Sequence, residues 1–98
     1  MKIIPTEEYD AWFKGLKDKK AKAKILIRID RVKAGNFGDC ESVGGGVSEL
    51  RLKYGPGYRV YLGKRRKEVV ILIGGSAKKN QQNSIDEAKE RWKELKKQ

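Results

Sequence analysis

The run EVVILI, residues 68–73, constrains the fold most. An extended chain with this pattern is apolar on both faces, so the strand it forms sits centrally in a sheet. At 98 residues the chain makes one domain, spanning 1–98, with room for one modest core.

The remaining pattern supplies neighbours for that strand. Residues 47–54 and 58–62 alternate apolar and polar side chains and are joined by Gly55-Pro56-Gly57, predicting a hairpin. Lys2 to Ile4 is a short strand ended by Pro5. Thr6 caps a helix to about Leu16, with Tyr9, Trp12, Phe13 and Leu16 on one face. Asp18 caps a second helix to about Ala34, and Gly35 stops it. Ala21, Ile25, Ile29 and Val32 form its inner stripe, with Leu26 beside them, and the short link at Lys17 predicts a helical hairpin. NFGDCESVGGGV, 36–47, reads as a mobile glycine-rich connection. It lacks the Lys-Ser/Thr ending of a P-loop. Gly63 to Lys67 is a tight basic turn. After the polar segment SAKKNQQN, Ser84 and Glu87 form a capping box for a last helix. Its narrow stripe is Ile85, Ala88, Trp92 and Leu95, with Glu87 and Arg91 paired outside. The predicted order is β-α-α-β-β-β-α: an α+β domain with helices on a mainly antiparallel sheet.

Charge narrows the function. The chain carries 24 Lys+Arg against 13 Asp+Glu, a net charge of +11. That is more than solubility needs and points to a polyanionic partner such as nucleic acid or a ribonucleoprotein. Cys40 is the single cysteine, which excludes an internal disulfide and fits a reducing compartment. With no histidine in the chain, Cys40 has no base to activate it, and no Cys/His zinc set exists. MKIIPTEEYD lacks the apolar stretch of a signal peptide, and VVILI cannot span a bilayer. The expectation is a soluble, cytoplasmic protein with no metal, no cofactor and no membrane partner.

The hairpin concentrates that charge. Leu50, Leu52 and Tyr54 share one strand face, and Glu49, Arg51 and Lys53 the other. A three-residue loop at 55–57 sets Lys53 opposite Arg59 and Arg51 opposite Tyr61. Like charges directly opposite cost roughly 0.2–1 kcal/mol, so their presence on an exposed face argues for a bound phosphate. Tyr61 adds a hydroxyl or a stacking ring for a base. Without histidine or a dense carboxylate cluster, the chemistry left open is metal-free phosphodiester transfer onto a ribose 2′-OH. Arg51 and Arg59 would stabilise the phosphorane, and Lys53, crowded by cations, is the candidate base.

VSELRLKYGPGYRVYLG, followed by a hydrophobic strand, Gly-Gly and a Lys/Gln-rich turn into a helix, resembles the RelE/ParE superfamily of bacterial toxins. The starts TEEYDAWFKGLKDKKAKAKI and GNFGDCESVGGGVSELR are similar to its HigB-like branch of addiction-module killer proteins. The resemblance implies a RelE-like fold and a type II toxin that cleaves mRNA in the ribosomal A site. It implies a cognate antitoxin, of helix-turn-helix type in this branch, which neutralises the toxin in a hetero-oligomer, the free toxin being a monomer. The catalytic positions that match are Arg51, Lys53 and Arg59, and Lys78 or Lys79 matches a basic residue after the last strand. Members of the branch often carry histidine where Lys53 stands, and the C-terminal stacking tyrosine of some has no counterpart in NSIDEAKE. The competing functions are a ParE-like gyrase poison and a non-catalytic basic RNA- or ribosome-binding module.

Overall fold

The computed structural model describes residues 1–97. In chain order the elements are β1 (Lys2–Pro5), α1 (Glu7–Gly15), α2 (Lys19–Lys33), β2 (Cys40–Gly44), β3 (Val47–Leu52), β4 (Tyr58–Arg65), β5 (Val69–Ala77) and α3 (Gln81–Lys96). A 3-10 turn at Lys78–Asn80 joins the last two. The five strands form one mixed sheet in the order β1-β5-β4-β3-β2. Only the β1–β5 pair is parallel. The protein is therefore an α+β domain built on a mainly antiparallel sheet.

The EVVILI strand is central in the core, between β1 and β4, because helices cover both faces. On one face Val70 and Leu72 join Leu50, Leu52, Val60 and Leu62 under Tyr9 of α1 and Ile25, Ile29 and Val32 of α2. On the other, Ile71 and Ile73 join Val47 and Tyr61 under Ile85, Ala88 and Trp92 of α3. Close approach makes this second layer possible. A Cβ on Gly63 of β4 would stand 2.6 Å from two Trp92 ring carbons, so the indole lies directly on bare backbone.

The helix ends follow the sequence. Thr6 Oγ1 accepts from the Tyr9 N–H at 3.2 Å, and Asp18 Oδ1 accepts from Lys20 and Ala21. At the end of α2, Gly35 donates to the Val32 carbonyl and Asn36 to that of Arg31, both at 2.8 Å. These two bonds close a Schellman motif on Gly35, whose φ is +92°.

Four expectations are corrected. The 36–47 connection contains a fifth strand, Cys40–Gly44, which pairs with β3 through a Gly45-Gly46 turn. Both turn glycines have positive φ, +64° and +84°, as a tight hairpin with right-handed twist requires. Glycine marked the turn of a ladder where the composition suggested a loop. β4 runs on to Arg65, so the basic turn moves to Arg66–Glu68, with Arg66 at φ +60°. β5 runs through Gly74-Gly75 to Ala77, bulging between its Gly74 and Leu72 pairings with β4. The last helix starts at Gln81, so Ser84 and Glu87 lie inside it and form no capping box. The inner stripe of α2 is buried as expected, and Leu26 beside it is 51% exposed. The pairing of Arg91 with Glu87 is present at 3.3 Å, and Arg91 also reaches Glu8 of α1 at 3.8 Å.

Candidate functional site

The β3–β4 register sets the site. Arg51 stands opposite Arg59, Leu52 opposite Tyr58 and Glu49 opposite Tyr61. The facing pattern of the sequence holds, with Leu50, Leu52, Val60 and Leu62 in the core. The partners differ by one step of two residues, because the connection runs from Lys53 to Gly57 and not from Gly55 to Gly57. Inside it, the Gly57 N–H donates to the Tyr54 carbonyl at 3.0 Å. Lys53 therefore leaves the ladder and sits exposed on the loop.

At this end of the hairpin a cleft of about 440 Å³ is lined by Asp39, Arg51, Leu52, Lys53, Gly57, Arg59 and Lys78. The Gly57 carbonyl ties its parts together. It accepts from the Lys78 N–H at 2.9 Å and from Arg59 Nη1 at 3.3 Å. That knot brings Lys78, from beyond β5, beside the hairpin loop. Of the two lysines named from sequence, Lys78 lines the cleft and Lys79 does not.

The two arginines differ in environment. Arg51 is half-buried and holds Asp39 at 3.2 Å and Glu41 at 2.7 Å. Burial opposes its charge, but these two carboxylates outweigh that and hold its pKa above the ordinary value. Arg59 is 9% exposed. Its Nε stands 3.6 Å from Glu49 Oε1, an ion pair too long to be a hydrogen bond, so Nε is a buried donor without a hydrogen-bond partner. Glu49 is itself buried and accepts from Gln81 Nε2 at 2.8 and 3.1 Å. Arg51, Arg59 and Lys78 line the cleft with Lys53, and the carboxylate neighbours of the two arginines offset part of the cationic crowding expected from the sequence.

Tyr61 corrects the expectation of an exposed ring. It is 1% exposed, packed under α3, and shares a 2.9 Å hydrogen bond with Ser76 Oγ. Burial raises its pKa, the Ser76 hydrogen bond and the Arg59 charge lower it, and the Glu49 charge adds to the rise. It cannot stack on a base without α3 leaving. The face read as solvent-exposed is exposed only beyond the edge of α3.

Sequence reasoning missed the residues that hold the site. Arg28 of α2 donates to the carbonyls of Arg51, Phe37 and Asp39, stitching the 37–39 segment to β3. The Arg51 N–H donates to the Asp39 carbonyl at 2.9 Å. Those bonds place Asp39 against the Arg51 guanidinium. No local pattern announces them, because they join positions far apart in the chain. Cys40 is half-buried against the core, and burial pushes its thiol up more than neighbouring cations pull it down. Among the described residues, no three His, Cys, Asp or Glu side chains gather into a metal-holding group. No helix among them is long and apolar enough to cross a membrane.

Fold and site together define a small basic α+β domain with a cation-lined cleft at one end of a β-hairpin. No family model matches the chain. It is 46% identical over 89 residues to an uncharacterized protein of Haemophilus influenzae, the match covering 91% of this chain and 90% of that one. The chain belongs to the same family as that protein.

Proposed function

We propose that this protein is a RelE/HigB-like toxin, a ribosome-dependent mRNA endonuclease held in check by a cognate antitoxin. One observation carries the reading. Arg51 and Arg59 oppose each other on adjacent strands at the cleft, while Lys53 and Lys78 line it with no ion pair among the described residues. Such a set suits a phosphodiester: planar donors on the strands and point charges beside them. The resemblance supplies the ribosome, the mRNA and the antitoxin.

The chemistry is transfer onto the ribose 2′-OH. The 2′-oxygen bonds to phosphorus as its proton passes to a base, either water or the Lys53 position that the resemblance implies. The bond to the 5′-oxygen breaks, and that oxygen takes a proton from the Lys78 ammonium or from solvent. The products are a 2′,3′-cyclic phosphate and a 5′-hydroxyl. Arg51 and Arg59 stabilise the added negative charge on the phosphorane oxygens. The second reading, a non-catalytic RNA- or ribosome-binding module, draws support from the three carboxylates that already hold the two arginines.

The test is primer extension on mRNA from programmed, translating ribosomes, with naked mRNA beside it. Ribosome-dependent cuts in A-site codons, ending in cyclic phosphate, are the expected result. They should disappear in Lys53→Ala and fall by about 10²-fold or more in Arg51→Ala. Arg59→Ala is not a clean probe, because it strands Glu49 in the interior. Intact mRNA from folded protein would overturn the nuclease reading and favour the binding module. Cleaved DNA in a gyrase supercoiling assay would favour the ParE-like alternative.

A further inference from the structure

The cleft does not end at Lys53. A second concavity, of about 260 Å³, shares Leu52 and Lys53 with it and is otherwise lined by Lys24, Ile27, Arg28, Arg31 and Tyr54. Four of its seven lining residues are cations, and none is a carboxylate. Arg28 is committed to the three carbonyls it holds. Lys24 and Arg31 are exposed and in no ion pair among the described residues. The wall is apolar and aromatic: Tyr54 is half-exposed with the Lys24 ammonium 5.1 Å from its ring centre, and Ile27 is 50% exposed.

We infer that this groove is a subsite for single-stranded RNA, in which Tyr54 and Ile27 receive a nucleobase while Lys24 and Arg31 take the flanking phosphates. The inference rests on the reading of the neighbouring cleft as a phosphate site. Three features choose RNA over a protein segment. The groove and the cleft share Leu52 and Lys53 in their linings, so a strand bound in one lies beside the other at Lys53. Its lining charges are of one sign, with the Asp18 carboxylate at the Tyr54 hydroxyl the one acid beside it among the described residues, so an acidic backbone complements the lining. Its ring stands beside cations, the combination that binds single strands without reading their sequence. Tyr54 thereby takes the role that the buried Tyr61 cannot fill.

Fluorescence anisotropy with a single-stranded RNA of about eight nucleotides tests the subsite, 2′-O-methylation blocking cleavage. Tyr54→Ala should weaken binding about tenfold, and Tyr54→Phe, which keeps the ring, should restore most of it. Lys24→Ala and Arg31→Ala should each weaken binding and lower the slope of log affinity against log salt by about 0.7. If these variants bind as the parent does while Arg51→Ala and Lys78→Ala lose affinity, the subsite is wrong and the cleft reading stands. If all of them bind as the parent does, or the parent binds no RNA, the cleft reading has failed and takes the subsite with it. If the groove variants change only the binding of an acidic amphipathic peptide, the groove is a protein-docking surface, and the inference is overturned.

Discussion

Arg51 and Arg59 face each other across the β3–β4 ladder, and each leans on its own acid: Arg51 on Asp39 and Glu41, Arg59 on Glu49. The arrangement explains how like charges tolerate a directly opposed pair. The acids divide by depth. Asp39 and Glu41 are exposed, and their ion pairs with Arg51 are the kind an incoming phosphate can displace. Glu49 is buried and cannot give way. Arg51 can therefore exchange its carboxylates for a ligand, while Arg59 meets one from a fixed position at the cleft.

Asp39→Asn with Glu41→Gln should tighten polyanion binding. The two carboxylates compete with any phosphate for the Arg51 guanidinium. Neutralising both frees it and adds to the net positive field of the cleft. The affinity for single-stranded RNA at low salt should rise about three- to tenfold, with the gain fading as salt screens it. An anisotropy titration at two salt concentrations measures this. Unchanged or weaker binding would mean that Arg51 is not a ligand-facing charge.

Glu49→Gln should destabilise the fold by about 3 kcal/mol, because it leaves the Arg59 charge buried without a counter-ion. The double variant Glu49→Gln with Arg59→Met should recover at least half of that loss, since it removes the stranded charge as well. Urea unfolding of the parent, both single variants and the double variant completes the cycle. Additive losses would show that the two side chains are not coupled. The same logic disqualifies Arg59→Ala as a test of chemistry alone.

Local patterns gave most of the fold and only part of the site. Thr6, Asp18 and Gly35 act through neighbours within a few residues, so these three helix boundaries were legible. The burial of Ile25, Ile29, Val32, Leu50, Leu52, Val60 and Leu62 was legible too, since period and alternation encode it. The hairpin register was not. Gly55-Pro56-Gly57 marks a turn, but nothing local shows that Lys53 and Tyr54 leave the ladder. The burial of Tyr61 depends on α3 crossing the sheet from more than twenty positions away. Asp39 reaches Arg51 because the β2–β3 pairing continues to this position and Arg28 of α2 holds the carbonyls of both residues. Arg51, Lys53 and Arg59 stood out because their charge is excessive for one strand face, and Lys78 entered only through the resemblance. Of the acids that hold the arginines, Glu49 was legible on the same strand face, while Asp39 and Glu41 were not, because each is ordinary where it stands in the sequence.

Gly63→Ala should cost about 3 kcal/mol, at the upper end of overpacking penalties. The new methyl would meet Trp92 ring carbons at 2.6 Å, and the indole has no room to retreat between Gly63 and Gly46. The urea midpoint reports the loss, and tryptophan fluorescence should shift as the ring is displaced. A change within about 0.5 kcal/mol, the scale of ordinary surface substitutions, would mean that α3 sits more loosely on the sheet than these distances state.

Tyr9→Phe should stabilise the protein and flatten its alkaline unfolding. Tyr9 is 4% exposed, and its hydroxyl is buried with no hydrogen-bond partner among the described residues. Removing an unsatisfied buried hydroxyl should gain about 1 kcal/mol at neutral pH, because the ring keeps its contacts with Trp12 and Phe13. The pH dependence follows from the same burial. Desolvation first, and the Asp10 charge second, raise the phenol well above its ordinary pKa of 10.0. The raised value means that the folded state keeps this proton after the unfolded chain has begun to release it. The Tyr9 contribution to stability is thus constant below about pH 10 and declines as pH climbs from there toward the folded pKa. Tyr61, also raised, contributes a decline of the same sign that the substitution leaves in place. Urea midpoints of the parent and Tyr9→Phe should therefore differ by a fixed amount from pH 7 to about pH 10, and by a growing amount above it. Parallel curves throughout would show that the Tyr9 hydroxyl reaches water in the folded protein.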